Sequence, residues 1–251
     1  MGKGRPMAVI AVYSLKGGVG KTTIAVNLGW CAAHGSSRRT LLWDLDPQGA
    51  ATWLLRQHKS RADAASAAFT REVKIAKLAG PSGVEGIDLI AADNSLRNLD
   101  HLLHDLAKRK RLARLAGTLE NDYDRIILDC PPGMTETSAQ VMRAADIIVV
   151  PIIPSPLAMR AFATVQSEIG AMGKKAGRLM PVFSMADRRR KLHAEAIAAH
   201  PDWPVIPMAS AIEAMTVAHE PVGAHAPRST AARAFSDLWR AIENQIAKAD
   251  R

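Results

Sequence analysis

Lys16-Gly-Gly-Val-Gly-Lys-Thr-Thr23 constrains this chain more than any other stretch. It stands between an apolar run, Met7-Ala-Val-Ile-Ala-Val-Tyr13, and a segment that reads as a helix from Lys21 to His34. The run predicts a strand buried on both faces. Glycines let the backbone curl until several N–H groups point at one anion, and the start of the following helix adds partial positive charge. Gly17, Gly18, Val19, Gly20, Lys21, Thr22 and Thr23 are therefore expected to form a phosphate-binding loop. In such a loop Lys21 reaches the β- and γ-phosphates of a nucleotide and the Thr22 hydroxyl is a ligand for Mg²⁺.

Further strands are predicted at Thr40–Asp44, Ile87–Ala92, Arg125–Asp129, Asp146–Val150, Arg178–Met185 and Trp203–Pro207, with Pro151 and Pro154 ending the one at Asp146. A long helix is predicted from Asn94 to Gly117, with Leu96, Leu99, Leu102, Leu103 and Leu106 on one face. Alternation of this kind predicts an α/β fold: a mainly parallel twisted sheet with helices on both faces and ligands at the strand C-termini. Residues 59–86 carry no readable pattern. Without repeats or a linker, residues 1–251 read as a single domain, with too little chain ahead of the loop for a separate N-terminal DNA-binding domain. Hydrophobic residues make up 48% of the chain, enough for a core without a metal or disulfide staple. Cys31 and Cys130 lack metal-ligand spacing and suit a reducing compartment. No signal peptide or apolar run of about 18 residues is present, so a cytoplasmic location is expected.

The loop departs from the general G-x-x-x-x-G-K-[ST] pattern, with Leu15 in place of the first glycine and Lys16 after it. This K-G-G-x-G-K-T-T form resembles the deviant Walker A motif of the ParA/MinD group of P-loop ATPases. The resemblance implies an ATP- and Mg²⁺-dependent hydrolase with weak intrinsic turnover, in which Lys16 reaches the phosphates bound by a second subunit of an ATP-dependent homodimer. Two bound nucleotides concentrate negative charge at such an interface, which favours a cation from each partner.

Asp44-Leu-Asp-Pro-Gln-Gly-Ala-Ala-Thr52 resembles that family's D-x-D-P-Q-G-N-A-T switch I motif, with Ala50 where Asn is usual. By resemblance Asp46 positions the attacking water and Asp44 supports the metal shell. Ile126-Ile-Leu-Asp-Cys-Pro-Pro-Gly133 resembles Walker B and switch II. Asp129 would hold Mg²⁺ through water, and Gly133 would approach the γ-phosphate. Ile87-Asp-Leu-Ile-Ala-Ala-Asp-Asn-Ser-Leu96, Ser184-Met-Ala-Asp-Arg-Arg189, Val205-Ile-Pro207, Glu220-Pro-Val-Gly223 and Pro227-Arg-Ser-Thr-Ala231 extend the likeness over nearly the whole chain. It places adenine near Ser184, Pro207 and Met208.

Lys+Arg number 33 against 24 Asp+Glu, a net charge of +9, which favours polyanionic partners. Lys174, Lys175, Arg178, Arg188, Arg189, Arg190 and Lys191 cluster around one predicted strand, and Arg228 and Arg233 follow near the C-terminus. In the ParA family basic residues of this region bind double-stranded DNA without sequence preference, and Arg189 matches the family arginine; Met208 and Ala209 stand where family members often carry arginines. The resemblance implies a nucleoid-associated ATPase that positions or partitions a plasmid, chromosome or protein complex and is released when a ParB-like or other adaptor stimulates hydrolysis. A solvated basic face is the plainer reading of the same residues, and it is preferred for Lys108-Arg-Lys-Arg111 with Arg114. Phe235, Leu238, Trp239, Ile242 and Ile246 fall at helical spacing and read as core packing; the alternative is a MinD-like peripheral membrane ATPase using that stripe on lipid. A small-molecule enzyme, such as an ATP-dependent carboxylating synthase, is a third reading.

Overall fold

The computed structural model describes residues 7–55, 64–70, 73–105 and 110–249. In chain order its strands are β1 (Ala8–Val12), β2 (Thr40–Asp44), β3 (Ala79–Pro81), β4 (Ile87–Ile90), β5 (Arg125–Asp129), β6 (Ile147–Ile152), β7 (Arg178–Ala186) and β8 (Val205–Pro207). The helices are α1 (Lys21–Trp30), α2 (Ala50–Leu54), α3 (Ala64–Thr70), α4 (Leu99–Asp105), α5 (Arg111–Gly117), α6 (Glu136–Ala144), α7 (Pro156–Met172), α8 (Lys191–Ala199), α9 (Ser210–Glu213), α10 (Met215–Ala218), α11 (Val222–His225) and α12 (Thr230–Ala249). One sheet runs β3-β4-β2-β5-β1-β6-β7-β8. All its pairings are parallel except β3 with β4.

The sheet separates two apolar layers, and strand alternation deals residues to each. Along β1 and its exit, Val9, Ala11 and Tyr13 enter one layer with α3 to α8, while Ala8, Ile10 and Val12 enter the other with α1, α2 and α12. Burial on both faces is why these strands read as continuous apolar runs. In α12 the stripe Phe235, Leu238, Trp239, Ile242 and Ile246 is buried in the second layer. Arg125, wholly buried at the start of β5, donates through Nε and Nη2 to the two carboxylate oxygens of Glu243 at 2.6 and 3.0 Å, pinning α12 to the sheet. At Gly223 a Cβ would lie 2.1 Å from Trp30 Nε1, so α11 meets α1 only because that side chain is missing.

Several expectations are corrected. Pro151 does not end its strand but pairs with Val182 inside β6. The Val149 carbonyl faces β1, accepting from Tyr13 N, and alternation turns Pro151 to the same side, where β1 has already ended. Its missing N–H therefore costs no ladder bond. The long helix over 94–117 is divided: Asn94–Asn98 form a 3₁₀ turn, α4 follows, and Lys110 with φ −128° and ψ 27° starts α5 afresh. Leu106, Lys108 and Arg109 lie outside the described residues. Arg111 is not on a solvated face; it is buried and donates to the carbonyls of Phe69 and Ala68 at 2.8 Å, near the end of α3. β3 carries no strand signal in the sequence: Ala79-Gly-Pro81 has no β-branched residue and pairs antiparallel at the edge. The helix expected over Lys21 to His34 changes to a π-turn at Cys31–Gly35.

Candidate nucleotide site and basic surfaces

β1 and β5 end level, with Val12 opposite Asp129, and β2 ends level with both, with Asp44 opposite Asp129. Three chain segments therefore leave the sheet at one point. From β1 comes the loop ending in α1, where Gly18 (φ 71°) and Gly20 (φ 86°) take left-handed conformations that a side chain would strain. Gly20 is the N-cap of α1, so the loop closes on a helix N-terminus. A Cβ on Gly20 would also sit 3.0 Å from Ser184 Oγ. Val19 is buried, while Gly17 and Gly18 are exposed and leave their backbone open to a ligand.

The two loop lysines point different ways. Lys21 is buried and its Nζ lies 3.5 Å from the Lys16 carbonyl, inside the curl of the loop; Lys16 is exposed. Beneath the loop, Thr22 Oγ1 donates to Asp129 Oδ2 at 2.7 Å. The other oxygen, Asp129 Oδ1, is buried and has no hydrogen-bond partner among the described residues. Burial, then the neighbouring negative charge of Asp44, holds the Asp129 carboxyl well above the usual carboxylate range. Asp44 is itself pushed up to about 6, chiefly by burial, despite accepting from the Thr52 hydroxyl (2.7 Å), Thr52 N (2.9 Å) and Asp46 N (3.1 Å).

Two adjacent buried carboxylates, one with an orphaned oxygen, and a hydroxyl on the same spot fit a divalent cation. They make a partial oxygen shell of the kind Mg²⁺ takes when nucleotide phosphates complete it. Asp46 is half-buried on the loop after β2 and accepts from Gln48 N at 2.9 Å. The geometry adds one residue that the motifs leave without a role. Thr52, the last residue of the Asp44–Thr52 segment, donates to Asp44 and accepts from Ala92 N at 2.9 Å, fixing the carboxylate to β4's exit.

Thr23, Ser184, Pro207 and Met208 share a mostly apolar pocket with Met185, Ile206, Ile212 and Glu213, bordered by Gly20. The expected base-binding residues thus adjoin the phosphate loop. Met185 and Ile206 carry no such signal in the sequence, because apolar residues in a strand give no sign of lining a pocket.

The basic residues do not form one cluster. Lys174, Lys175 and Arg178 are exposed at the start of β7, whereas Arg188, Arg189, Arg190 and Lys191 are exposed beyond its end. A strand of nine residues separates them, roughly 26 Å at the usual rise per residue. Sequence proximity across a strand therefore reads as opposite ends of the sheet. Arg189 is held by Asp187 through two bonds of 2.9 and 3.1 Å, and that pairing pulls the Asp187 carboxyl down to about 2. Arg228 and Arg233 are exposed near the start of α12.

Comparison with known proteins adds the following. A family model described as an AAA domain matches residues 7–180. The chromosome partitioning protein ParA of Caulobacter vibrioides is 32% identical over 197 residues, spanning 74% of this chain and 73% of that protein. The sporulation initiation inhibitor protein Soj of Bacillus subtilis is 35% identical over 148 residues, and that match spans only 57% of either chain. Among solved structures, apo McdA of Cyanothece superposes with a TM-score of 0.82 at 22% identity, covering 94% of this chain and 99% of that one. Cobyrinic acid a,c-diamide synthase of Mycobacterium smegmatis, with bound ATP analogue and magnesium, superposes with a TM-score of 0.81 at 26% identity, covering 98% and 97%.

Proposed function

The chain belongs to the ParA family of P-loop ATPases, and on that footing we propose that it is a cytoplasmic, nucleoid-associated ATPase that partitions or positions a cargo. ATP binding pairs two copies, the pair binds double-stranded DNA without sequence preference, and an adaptor protein of the ParB kind stimulates hydrolysis and release. The cargo is a plasmid, a chromosome or a protein complex. The observation that carries this reading is the division of labour between the loop lysines: Lys21 is buried inside the loop, and Lys16 is exposed and free to meet phosphates held by a second copy. A self-contained hydrolase needs only the inward one.

In this mechanism the loop backbone and Lys21 cradle the β- and γ-phosphates. Thr22 and Asp129, with Asp44 in support, would hold Mg²⁺, which would neutralise charge on the phosphates when bound. Asp46, half-buried on the loop after β2, orients the attacking water for the γ-phosphate. Slow turnover by one copy, raised by a partner, leaves time for DNA binding. Of the basic surfaces, the exposed set Arg188, Arg190 and Lys191 beyond β7 and the set Lys174, Lys175 and Arg178 at its start are separate DNA-contact candidates, with Arg228 and Arg233 a third.

The test is binding to non-specific double-stranded DNA with ATP, with ADP and without nucleotide, across a salt series, with anionic liposomes in parallel. ATP-dependent binding that weakens steeply with salt is the expected result. Liposome binding without DNA binding would replace it with the MinD-like reading, against which the burial of the α12 stripe already stands. Binding to neither would favour a small-molecule enzyme, to which the likeness to the amide-forming synthase points.

A further inference from the structure

We infer that Tyr13 is a positioning residue: its hydroxyl ties the loop after Asp129 to the root of the phosphate loop and so governs the hydrolytic step rather than nucleotide affinity. The inference rests on the reading of the site as an ATPase.

Tyr13 is the first residue past β1, and its own N–H still donates to Val149 at 3.0 Å, so its backbone is anchored in the sheet. The ring has no exposure to solvent and lies in the apolar layer with Leu128, Cys130, Val141 and Val150. Its hydroxyl donates to the Gly133 carbonyl at 2.9 Å, across 120 residues of chain. The same hydroxyl interacts with Ser138, which completes a capping box with Thr135 at the start of α6. Burial pushes the phenol up to about 12, so the group stays a donor at any working pH.

A buried phenol is costly to leave without a partner, and the part-buried Gly133 carbonyl supplies one. The bond holds that carbonyl against the buried ring. Gly133 has φ 99°, a conformation only glycine adopts without strain. Glycine permits that turn of the loop, and Tyr13 selects it.

The consequence reaches the chemistry through a short path. Gly133 lies four residues after Asp129, which is bonded to Thr22 of the phosphate loop. Releasing Gly133 loosens the segment by which the chain leaves the sheet just after Asp129. Nucleotide affinity comes from the loop backbone and Lys21, and the described hydrogen bonds of the Tyr13 hydroxyl go to neither. Alignment for phosphoryl transfer is far more sensitive to small displacements than binding is.

The experiment is Tyr13→Phe, which keeps the ring and removes only the hydroxyl. Steady-state ATP hydrolysis and ADP affinity are measured alongside amide exchange of residues 133–138 with ADP bound. The expected result is KM for ATP and ADP affinity within about twofold of wild type and kcat lower by roughly tenfold, the rate equivalent of one ordinary hydrogen bond. Exchange in 133–138 should rise about tenfold, with no rise in the phosphate loop. Unchanged kcat with only a lowered thermal midpoint would mean a purely structural tyrosine, and an equal loss of ADP affinity would assign it to binding; either overturns the inference. If the wild-type protein does not hydrolyse ATP at all, the functional reading falls. The exchange comparison still decides whether Tyr13 holds the loop, and unchanged exchange refutes it.

Discussion

Thr22 and Asp129 meet at 2.7 Å through Oγ1 and Oδ2, although they stand 107 positions apart in the chain. The contact joins the phosphate loop to the strand beside it, and it leaves the second oxygen of Asp129 buried without a hydrogen-bond partner among the described residues, with Asp44 alongside. Burial and their mutual repulsion raise the proton affinity of both carboxyls.

A pH dependence follows. Asp44 rises from an ordinary 3.8 to about 6 in the folded state, so between those values the folded chain holds a proton that the unfolded chain has released. Stability without nucleotide should therefore fall as pH rises through that window, by on the order of 2–3 kcal/mol. Mg-nucleotide should stabilise most above it. Thermal midpoints measured across the window for wild type and Asp44→Asn check this; parallel curves would show that Asp44 is not the group responsible.

Lys21→Ala and Lys16→Ala should separate cleanly. The first removes the buried cation from the loop and should weaken ATP binding by roughly 100-fold, the loss of a charge-assisted contact. The second should bind ATP within a few-fold of wild type yet remain a single copy in light scattering. A normal ATP-induced pair from Lys16→Ala would remove the reason for reading two copies into the mechanism.

Asp46→Ala should bind ATP normally and lose hydrolysis by about 100-fold or more, in the range expected when a group orienting the attacking water is deleted. Sizing with ATP should then find a long-lived pair. Retained turnover would mean that another group holds the water.

Glu243→Ala should cost roughly 3–5 kcal/mol, since it strips the matching carboxylate from a buried guanidinium. Chemical denaturation reads this directly. Because Arg125 is far from the loop in the sheet, nucleotide affinity in the folded fraction should not change; a joint loss of both would show that α12 is coupled to the site.

The separated basic sets can be told apart by salt. Neutralising Arg188 and Arg190 together should lower the slope of log affinity against log salt by about 2, if both reach DNA phosphates. Neutralising Lys174 and Lys175 then reports on the other end of β7 alone. A set whose removal leaves the slope unchanged is a solvated face.

What is legible in the sequence is what the backbone's own chemistry writes locally. β2 and β5 can be read to the residue, because an apolar run that stops at a buried aspartate marks both a strand and its functional end. The glycines at 18 and 20 signal positive φ by their residue type alone. Pro151 misleads because the cost of a missing N–H depends on which neighbouring strand it faces, and that is set by where β1 ends, 139 positions earlier along the chain. The Arg111 guanidinium looks solvated because its partners, two carbonyls at the end of α3, belong to a segment with no hydrophobic pattern. The basic residues of 174–191 look like one patch because a strand brings no sign of its length to a charge count. The Tyr13 contact leaves no trace at all, since a tyrosine at a strand end is ordinary until its hydroxyl is found to reach Gly133.

The sheet is bordered by its two three-residue strands, β3 and β8, and each ends in a proline, Pro81 and Pro207. Proteins that gather densely on a surface risk growing end to end by adding strand to strand. Borders this short, interrupted where a further backbone would have to bond, offer almost no template for such growth. Crowding can therefore raise the local concentration of this chain with little risk of strand-by-strand growth from the edges of this sheet.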